Sequence, residues 1–89
     1  STIFNAIGCR VEVEKMIATG RIDMVVETTQ YIYVLELKLS DNGGVDAAAE
    51  QIRAKQYAEP FKADKRKVIA LAIELDDRGK GLVDWKEVF

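Results

Sequence analysis

The sequence predicts a small α/β fold with one mixed β-sheet of about four to five strands, in the order α-β-β-β-α-β with the first helix truncated, and with a helix on at least one face of the sheet. Two runs of β-prone residues, 11–17 and 21–27, precede a third, 31–39, which is apolar on both faces like a central strand covered on both sides. An alanine-rich stretch, 45–61, has helical spacing, and 68–73 is a short apolar strand. The succession of strand, helix and strand favours a right-handed crossover and a parallel pair, so the sheet is mixed.

Length and composition restrict the class of protein. The chain has 89 residues, enough for one hydrophobic core, so we expect a single domain over 1–89. It is 48% hydrophobic and 31% charged, as in ordinary globular proteins. Neither a signal peptide nor an apolar run of membrane length is visible, which predicts a cytoplasmic protein with no membrane partner. A net charge of -2 argues against a protein that coats nucleic acid through its overall field.

The first residues have the pattern of a helix end. Ile3, Phe4 and Ile7 have helical spacing, and Gly8 stands where a helix can terminate. These residues are therefore predicted to be the last turns of a truncated first helix.

The two strands that follow are predicted to form an antiparallel hairpin. The first alternates with a period of two, which indicates a half-exposed strand. Its two faces carry Val11, Val13 and Ile17 on one side, and Glu12 and Glu14 on the other.

The second half of the chain supplies the predicted helix and the last strands. Asp46 is a candidate cap of the helix over 45–61. Residues 82–88 are predicted to be a final short strand or edge, with Trp85 packed as an anchor.

The residue types exclude several kinds of site. The chain has one cysteine, Cys9, and no histidine, so an internal disulfide, a zinc site on nitrogen and sulfur ligands, and a histidine-dependent triad are all excluded. Any metal would sit on oxygen ligands, which suit magnesium, manganese or calcium. Acid-base chemistry is left to carboxylates, lysine, tyrosine or bound water.

Three charged residues break the apolar pattern of the predicted strands. Glu36 and Lys38 share one face of an otherwise apolar strand, and Asp23 stands between Ile22 and Met24. A buried charge is costly unless it is paired or bound to a metal. If the two faces align, two carboxylates and an ammonium converge, and a divalent cation is the simplest compensation. The alternative is a surface ion pair, since short E-x-K strings occur by chance.

The surrounding residues resemble the PD-(D/E)XK nuclease superfamily, in which an aspartate on one strand and an E-x-K on the next build a magnesium site. More closely, they resemble the nuclease-like domain at the carboxyl end of bacterial proteins whose front part is similar to an AAA-type ATPase. The matching features run through most of residues 11–85 and are Glu14, the string 20–23, the strand 31–38, the helix string 51–58 and the closing Asp84-Trp85.

This resemblance implies a restriction-endonuclease-like core and a metal-dependent hydrolysis of phosphodiester bonds, with DNA as the expected substrate. Asp23 and Glu36 would be metal ligands, with the backbone carbonyl of Leu37 as a third. Lys38 would position the attacking water and stabilise charge on the phosphate. The implied cofactor is Mg²⁺ or Mn²⁺.

The resemblance also implies accessory residues. Glu14 would be a further ligand or an orienting group, the alternative being a solvated strand carboxylate. Gln51 would point from the helix towards the site. Arg21, Lys55 and Tyr57 would contact nucleic acid, the alternatives being a surface cation, a solvated helix face and a packing aromatic.

Two departures from the family pattern bear on function. Ile22 replaces the proline that names the superfamily, and the first helix is nearly absent. We therefore expect either a fragment of a longer protein, whose front part would be the ATPase-like partner, or a minimal domain completed by another chain. A homodimer through apolar residues near the termini is one such arrangement, and these residues are Ile3, Phe4, Trp85 and Phe89. The alternative function is a catalytically inactive module for nucleic-acid binding or assembly.

Overall fold

In the computed structural model, which describes residues 2–6, 8–78 and 80–89 and omits the side chains of residues 2, 4 and 6, six strands form one sheet. The strands lie in the sheet in the order in which they occur in the chain. The elements are β1 (Thr2–Ala6), β2 (Cys9–Ile17), β3 (Gly20–Thr28), β4 (Tyr31–Leu39), α1 (Gly44–Ala54), β5 (Lys67–Leu75) and β6 (Leu82–Glu87). Short 3-10 turns lie at Ser40–Asn42 and Glu59–Phe61.

Strand pairing makes the sheet mixed, as predicted. β4 and β5 are parallel, and all the other neighbouring strands are antiparallel. The predicted hairpin is β2–β3, and the predicted central strand is β4, which lies between β3 and β5. The sheet has six strands rather than four to five because β1 adds a strand at one edge.

The start of the chain corrects the predicted element order. The stretch predicted as the end of a helix is β1, whose Ile3 and Phe4 backbones pair with Glu12 and Val11 of β2. A few residues are too short for a stable helix, whereas the edge of β2 offers backbone hydrogen bonds. Gly8 lies in the turn with φ +73°, which glycine adopts without strain. Ile7 lies outside the described residues.

The core lies between α1 and one face of the sheet. α1 packs against β4, β5 and β6, and small residues on both sides let the helix approach closely. The buried apolar residues of this core are Ile22, Val25, Ile32, Val34, Ala48, Ala49, Ile52, Tyr57, Ala70 and Ala72. Because this helix covers one face only, β4 is central in the sheet but not covered on both sides.

The helix ends earlier than predicted and is capped differently. α1 stops at Ala54, and Gln56 then takes a positive φ of 52°, which ends the helical path before Pro60. Asp46 makes no capping hydrogen bond. The N-terminus is instead capped from β5, where Glu74 accepts a hydrogen bond from the Val45 amide at 2.9 Å.

Two further expectations about burial are wrong. Trp85 is 58% exposed on the edge strand β6, so it is not a buried anchor. Glu12 is only 8% exposed and forms ion pairs with Arg10 and Lys15 at 3.8 and 3.5 Å, so it does not face solvent. No described helix is long and apolar enough to cross a membrane.

Candidate active site

The register of β3 and β4 brings Asp23 and Glu36 together. Val25 pairs with Val34 and Met24 pairs with Leu35, so the next facing positions are Asp23 and Glu36. The regular ladder ends there, and the Leu37 amide donates to Asp23 Oδ2 at 2.9 Å instead. The two carboxylates therefore meet where the strands separate, on the same face as Val25 and the helix.

The Glu36 carboxyl group is buried, and burial disfavours its charged form. It is 2% exposed, and burial raises its pKa to about 7, with the charge of Asp23 adding to the increase. The hydrogen bond from Tyr57 and the charge of Lys38 lower the pKa without cancelling the burial. A buried carboxyl group with a pKa raised in this way is typical of functional sites.

The Tyr57 hydroxyl joins Glu36 to the helix and to β3. It lies 2.5 Å from Glu36 Oε1 and 2.9 Å from the Arg21 carbonyl oxygen, and it accepts a hydrogen bond from Gln51 Nε2 at 3.0 Å. A hydroxyl has one hydrogen to donate. A protonated Glu36 can donate to this hydroxyl and leave its hydrogen for the Arg21 carbonyl, so the network is complete when Glu36 carries a proton.

Two cations border the carboxylates without direct hydrogen bonds. Lys38 Nζ is 3.7 Å from Glu36 Oε2, and Arg21 Nη2 is 3.6 Å from Asp23 Oδ1. These distances are too long for hydrogen bonds. The side chains are 29% and 53% exposed respectively, so both can turn towards an anion that arrives from solvent.

Glu14 lies at the border of the same cluster. Its neighbours pair Val13 with Met24 and Lys15 with Ile22, which puts Glu14 level with Asp23 across β2 and β3. Its φ of +58° is uncommon for a residue with a side chain. Its side chain is 63% exposed, and Oε1 is 3.9 Å from Arg21 Nη1.

The other predicted residues reach the site indirectly. Gln51 contacts it only through the Tyr57 hydroxyl among the hydrogen bonds described. Lys55 is exposed just after α1, and its carbonyl accepts a hydrogen bond from Thr19 Oγ1 at 2.5 Å in the β2–β3 turn. The Lys55 side chain passes over Gly20, the residue before Arg21. Lys55 therefore lies beside the start of β3, where Arg21 is.

Tyr57 corrects a prediction. It was expected to contact nucleic acid, but it is fully buried, and its ring belongs to the core. Its buried ring agrees with the alternative of a packing aromatic, whereas its hydrogen bond to Glu36 was not predicted. No pattern pointed to it, because Tyr57 comes after the end of α1 and helical spacing does not fix its direction.

Comparison with known proteins identifies the family. A family model described as the PD-(D/E)XK nuclease superfamily matches residues 2–85. The chain belongs to this superfamily. A relative described as an uncharacterised protein in the vnfD 5′ region of Azotobacter chroococcum mcd 1 is 29% identical over 82 residues, which is 92% of this chain. The chain matches only 16% of that relative's length. No solved structure matches.

The donor set of this PD-(D/E)XK domain suits a hard divalent cation. Superfamily nucleases usually use divalent metals, and the adjacent carboxylates of Asp23 and Glu36 offer oxygen ligands of the right kind. Within residues 2–6, 8–78 and 80–89, no cluster of three or more Asp, Glu or Cys side chains forms a metal site. Two carboxylates fit Mg²⁺, which commonly takes one or two and completes its shell with water and substrate phosphate. The Leu37 carbonyl as a third ligand stays a prediction.

Proposed function

We propose that this domain is a metal-dependent nuclease that hydrolyses phosphodiester bonds in DNA. The observation that carries the proposal is the meeting of Asp23 and Glu36 at the end of the β3–β4 ladder, with Lys38 Nζ 3.7 Å from Glu36. Membership of a nuclease superfamily supports it. In this proposal Asp23, Glu36 and the Leu37 carbonyl hold Mg²⁺ or Mn²⁺.

The residues around the carboxylates have separate tasks. When bound, the cation would supply charge stabilisation for the phosphate and increase the acidity of a water molecule. The Leu37 amide orients Asp23, and the Tyr57 hydroxyl orients Glu36. The Lys38 ammonium donates to the attacking water or to a phosphate oxygen, where it stabilises the negative charge that develops during hydrolysis.

A cationic border supports a nucleic-acid substrate despite the net charge of -2. Arg21 and Lys38 flank the carboxylates, and Lys55 lies beside the β2–β3 turn next to Arg21. Phosphate contacts of this kind bind the backbone of the substrate and are weakened by salt. In the proposal Arg21 and Lys55 hold the phosphates on either side of the scissile one, and Glu14 orients Arg21.

The test is cleavage of plasmid DNA, single-stranded DNA and RNA in Mg²⁺ or Mn²⁺. We expect Asp23→Asn and Lys38→Ala to lower the rate by about 10²-fold or more. The matched controls are Asp46→Asn and Lys65→Ala, exposed residues away from the carboxylates, which should retain wild-type rates. Equal activity in all five proteins would remove the assignment, because the cleavage would then come from a contaminant or from another site.

A catalytically inactive module for nucleic-acid binding or assembly is the second candidate. The observation that favours it is that the described residues gather two carboxylates at the site rather than three or more acidic side chains. Calorimetric titration separates the two functions. An active site binds Mn²⁺ in a manner that Asp23→Asn abolishes, whereas an inactive module binds DNA and leaves Mn²⁺ binding absent.

We also propose that the domain works within a larger protein with an ATPase-like front part, in the cytoplasm. The resemblance noted in the sequence supports this, as does the length of the relative, of which the domain matches 16%. Deleting the domain from the full-length protein should abolish DNA cleavage and leave ATP hydrolysis in place. Loss of ATP hydrolysis with no effect on cleavage would contradict this division of tasks.

A further inference from the structure

A recess open to solvent lies beside the candidate active site, at the turn between β2 and β3. It has a volume of about 490 Å³. One wall is the end of β2 with the turn, residues 15–19, and the other is the chain after α1, where Gln56 and residues 59–62 line it. We call it the turn recess. Its volume lies within the range of small-ligand sites in proteins, so the recess has room for a nucleobase and its sugar.

The path of the chain after α1 forms the turn recess. α1 ends at Ala54, and Gln56 takes a φ of +52° and stays exposed, whereas the next residue, Tyr57, is buried in the core. The Thr19 hydroxyl donates a hydrogen bond to the Lys55 carbonyl, which ties the β2–β3 turn to this segment. The two walls are therefore joined, and the recess is part of the fold.

The lining of the turn recess combines apolar side chains with a polar border. Ile17 and Phe61 pack against the core, and Met16 is 72% exposed. Apolar and aromatic side chains are the surfaces on which nucleobases stack, whatever the base, because every base has a π-face. The exposed Gln56 amide can both donate to and accept from the edge of a base.

Cations lead from the carboxylates to the turn recess. Arg21 lies beside Asp23, the Lys55 side chain passes over Gly20, and Lys15 and Lys62 line the recess itself. The two lining lysines form ion pairs with nearby glutamates, at 3.5 and 2.6 Å. The Lys62 side chain is 73% exposed, and exposed ion pairs are weak, so a phosphate can replace its glutamate. A strand of phosphates on this path would meet a cation at each step.

The distance between the site and the turn recess suits a short run of nucleotides. Ile17 pairs with Gly20 at the end of the β2–β3 ladder, and Asp23 lies three residues further along β3. At about 3.3 Å per residue this is about 10 Å. A stacked DNA strand rises about 3.4 Å per nucleotide, so about three nucleotides span the interval.

We propose that the turn recess binds an unpaired base of the strand being cut, about three nucleotides from the scissile phosphate. This inference rests on the proposed nuclease function and specifies its substrate as single-stranded DNA. A base in a duplex is paired and stacked, and it must leave the helix before it can enter a protein pocket. A single strand offers its bases without that cost.

The far edge of the sheet provides a control position. Leu82 is 63% exposed on β6, three strands away from β3. The same geometry bears on the homodimer expected from the terminal residues, because Ile3 and Trp85 lie on β1 and β6, the opposite edges of the sheet, and do not form one apolar patch. The side chain of Phe4 lies outside the described residues.

The first test is the fluorescence anisotropy of two labelled probes of equal length, titrated with the wild-type domain without divalent metal. One probe is a thymidine oligonucleotide, and the other has the same phosphodiester chain with abasic deoxyribose units. We expect the thymidine probe to bind at least about five-fold more tightly, the low end of what one stacked base contributes. Equal affinities would overturn the proposal, because all contacts would then be to phosphate. Binding of neither probe would overturn it together with the DNA substrate.

A variant tests whether the turn recess is the place where the base binds. Met16→Glu should bring the ratio of the two affinities close to one, and Leu82→Glu, the same change on β6, should keep the wild-type ratio. The ratio is the readout because an added negative charge weakens the binding of both probes. Circular dichroism checks that both variants fold. A wild-type ratio in Met16→Glu, or an equal loss in Leu82→Glu, would overturn the proposal.

The cleavage assay separates this inference from the nuclease proposal. With Mg²⁺ or Mn²⁺, we expect single-stranded DNA to be cut at least about ten-fold faster than a duplex of the same sequence, and Met16→Glu to reduce this preference. Cleavage without any preference for the single strand would overturn the turn recess and leave the nuclease proposal in place. A preference for the thymidine probe in a protein that cuts no DNA would support the recess and contradict the nuclease.

Discussion

The two ends of the β3–β4 pair place their buried or half-buried carboxylates in opposite electrostatic surroundings. At one end, Glu27 receives the guanidinium groups of Arg10 at 2.9 Å and Arg66 at 2.7 Å. At the other end, Asp23 and Glu36 stand side by side, and their nearest cations are 3.6 and 3.7 Å away. Both ends belong to the same two strands. The two ends differ in the cationic side chains that other parts of the chain place beside the carboxylates.

The pKa values follow this difference. Burial raises the pKa of Glu27, but the hydrogen bonds and charges of Arg66 and Arg10 outweigh burial, and the net pKa is lowered. Burial raises the pKa of Glu36 to about 7, and the neighbouring Asp23 adds to it. The ion pairs of Glu27 therefore stabilise the fold. The buried charge of Glu36 costs stability, and an external cation can compensate that charge.

The largest effect on stability should come from the Glu27 end. Arg66 also hydrogen-bonds Asp64 and the Thr28 carbonyl, so Arg66→Ala removes several contacts and leaves Glu27 with only Arg10 among its hydrogen-bonded cations. We expect a clear loss in the free energy of unfolding, measured with urea. Lys65→Ala, an exposed neighbour, should change it by less than about 0.5 kcal/mol. Similar values for the two variants would contradict the stabilising role of this end.

Replacing the acid at the other end should have the opposite sign. Glu36→Gln removes a charge that is costly to bury, so at pH 8 without metal we expect it to stabilise the fold by about 1–2 kcal/mol while abolishing cleavage. Glu50→Gln, an exposed glutamate of α1, is the matched control and should do neither. A destabilised Glu36→Gln protein would show that Glu36 is a structural ion-pair residue.

The pH dependence of the free energy of unfolding of the metal-free protein tests the raised pKa of Glu36. Because the folded pKa of Glu36 is raised from 4.5 to about 7, the native chain binds a proton that the unfolded chain releases. Stability contributed by this proton is fully present below about pH 4.5 and is lost as the pH rises through about 7. The free energy of unfolding of the wild type should therefore fall over this window relative to Glu36→Gln. Parallel pH profiles for the two proteins would contradict the raised pKa.

Removing the Tyr57 hydroxyl should give a smaller effect, on activity more than on stability. Tyr57→Phe keeps the ring in the core but removes the hydrogen bond to Glu36 Oε1. We expect roughly a ten-fold lower kcat with KM little changed, because the hydroxyl orients a ligand and does not touch the substrate. The pH profile of cleavage should also shift, which a purely structural role would not produce. The control is Tyr31→Phe, because Tyr31 lies at the end of β4 that is away from Glu36.

The sequence predicted the residues that meet at the candidate site better than the groups that hold them. Strand alternation places Glu36 and Lys38 on one face, and a short turn between β3 and β4 fixes a register in which Asp23 faces Glu36. These are local relations, and periodicity captures them. The position of Tyr57 depends on the path of the chain after α1, which ends before Gln56 turns to positive φ, so no periodic pattern reports it.

Other features depend on contacts far apart in the chain. Arg66 reaches Glu27 from 39 residues away, and neither residue alone predicts the pair. The first residues were predicted as a helix from their spacing, yet they pair with β2 because its edge supplies backbone partners. The apolar pattern of β4 indicated burial on both sides of the sheet, but the sequence did not show that α1 covers only one of them.

The most direct test of the site is a crystal of this domain soaked in Mn²⁺ at pH 8, examined by anomalous scattering. We predict a peak between the carboxylates of Asp23 and Glu36, absent in Asp23→Asn crystals, and none at Glu27, whose oxygens are held by arginines. A wild-type map with no peak at Asp23 and Glu36, or with an equal peak in Asp23→Asn crystals, would contradict a metal-dependent nuclease centre here.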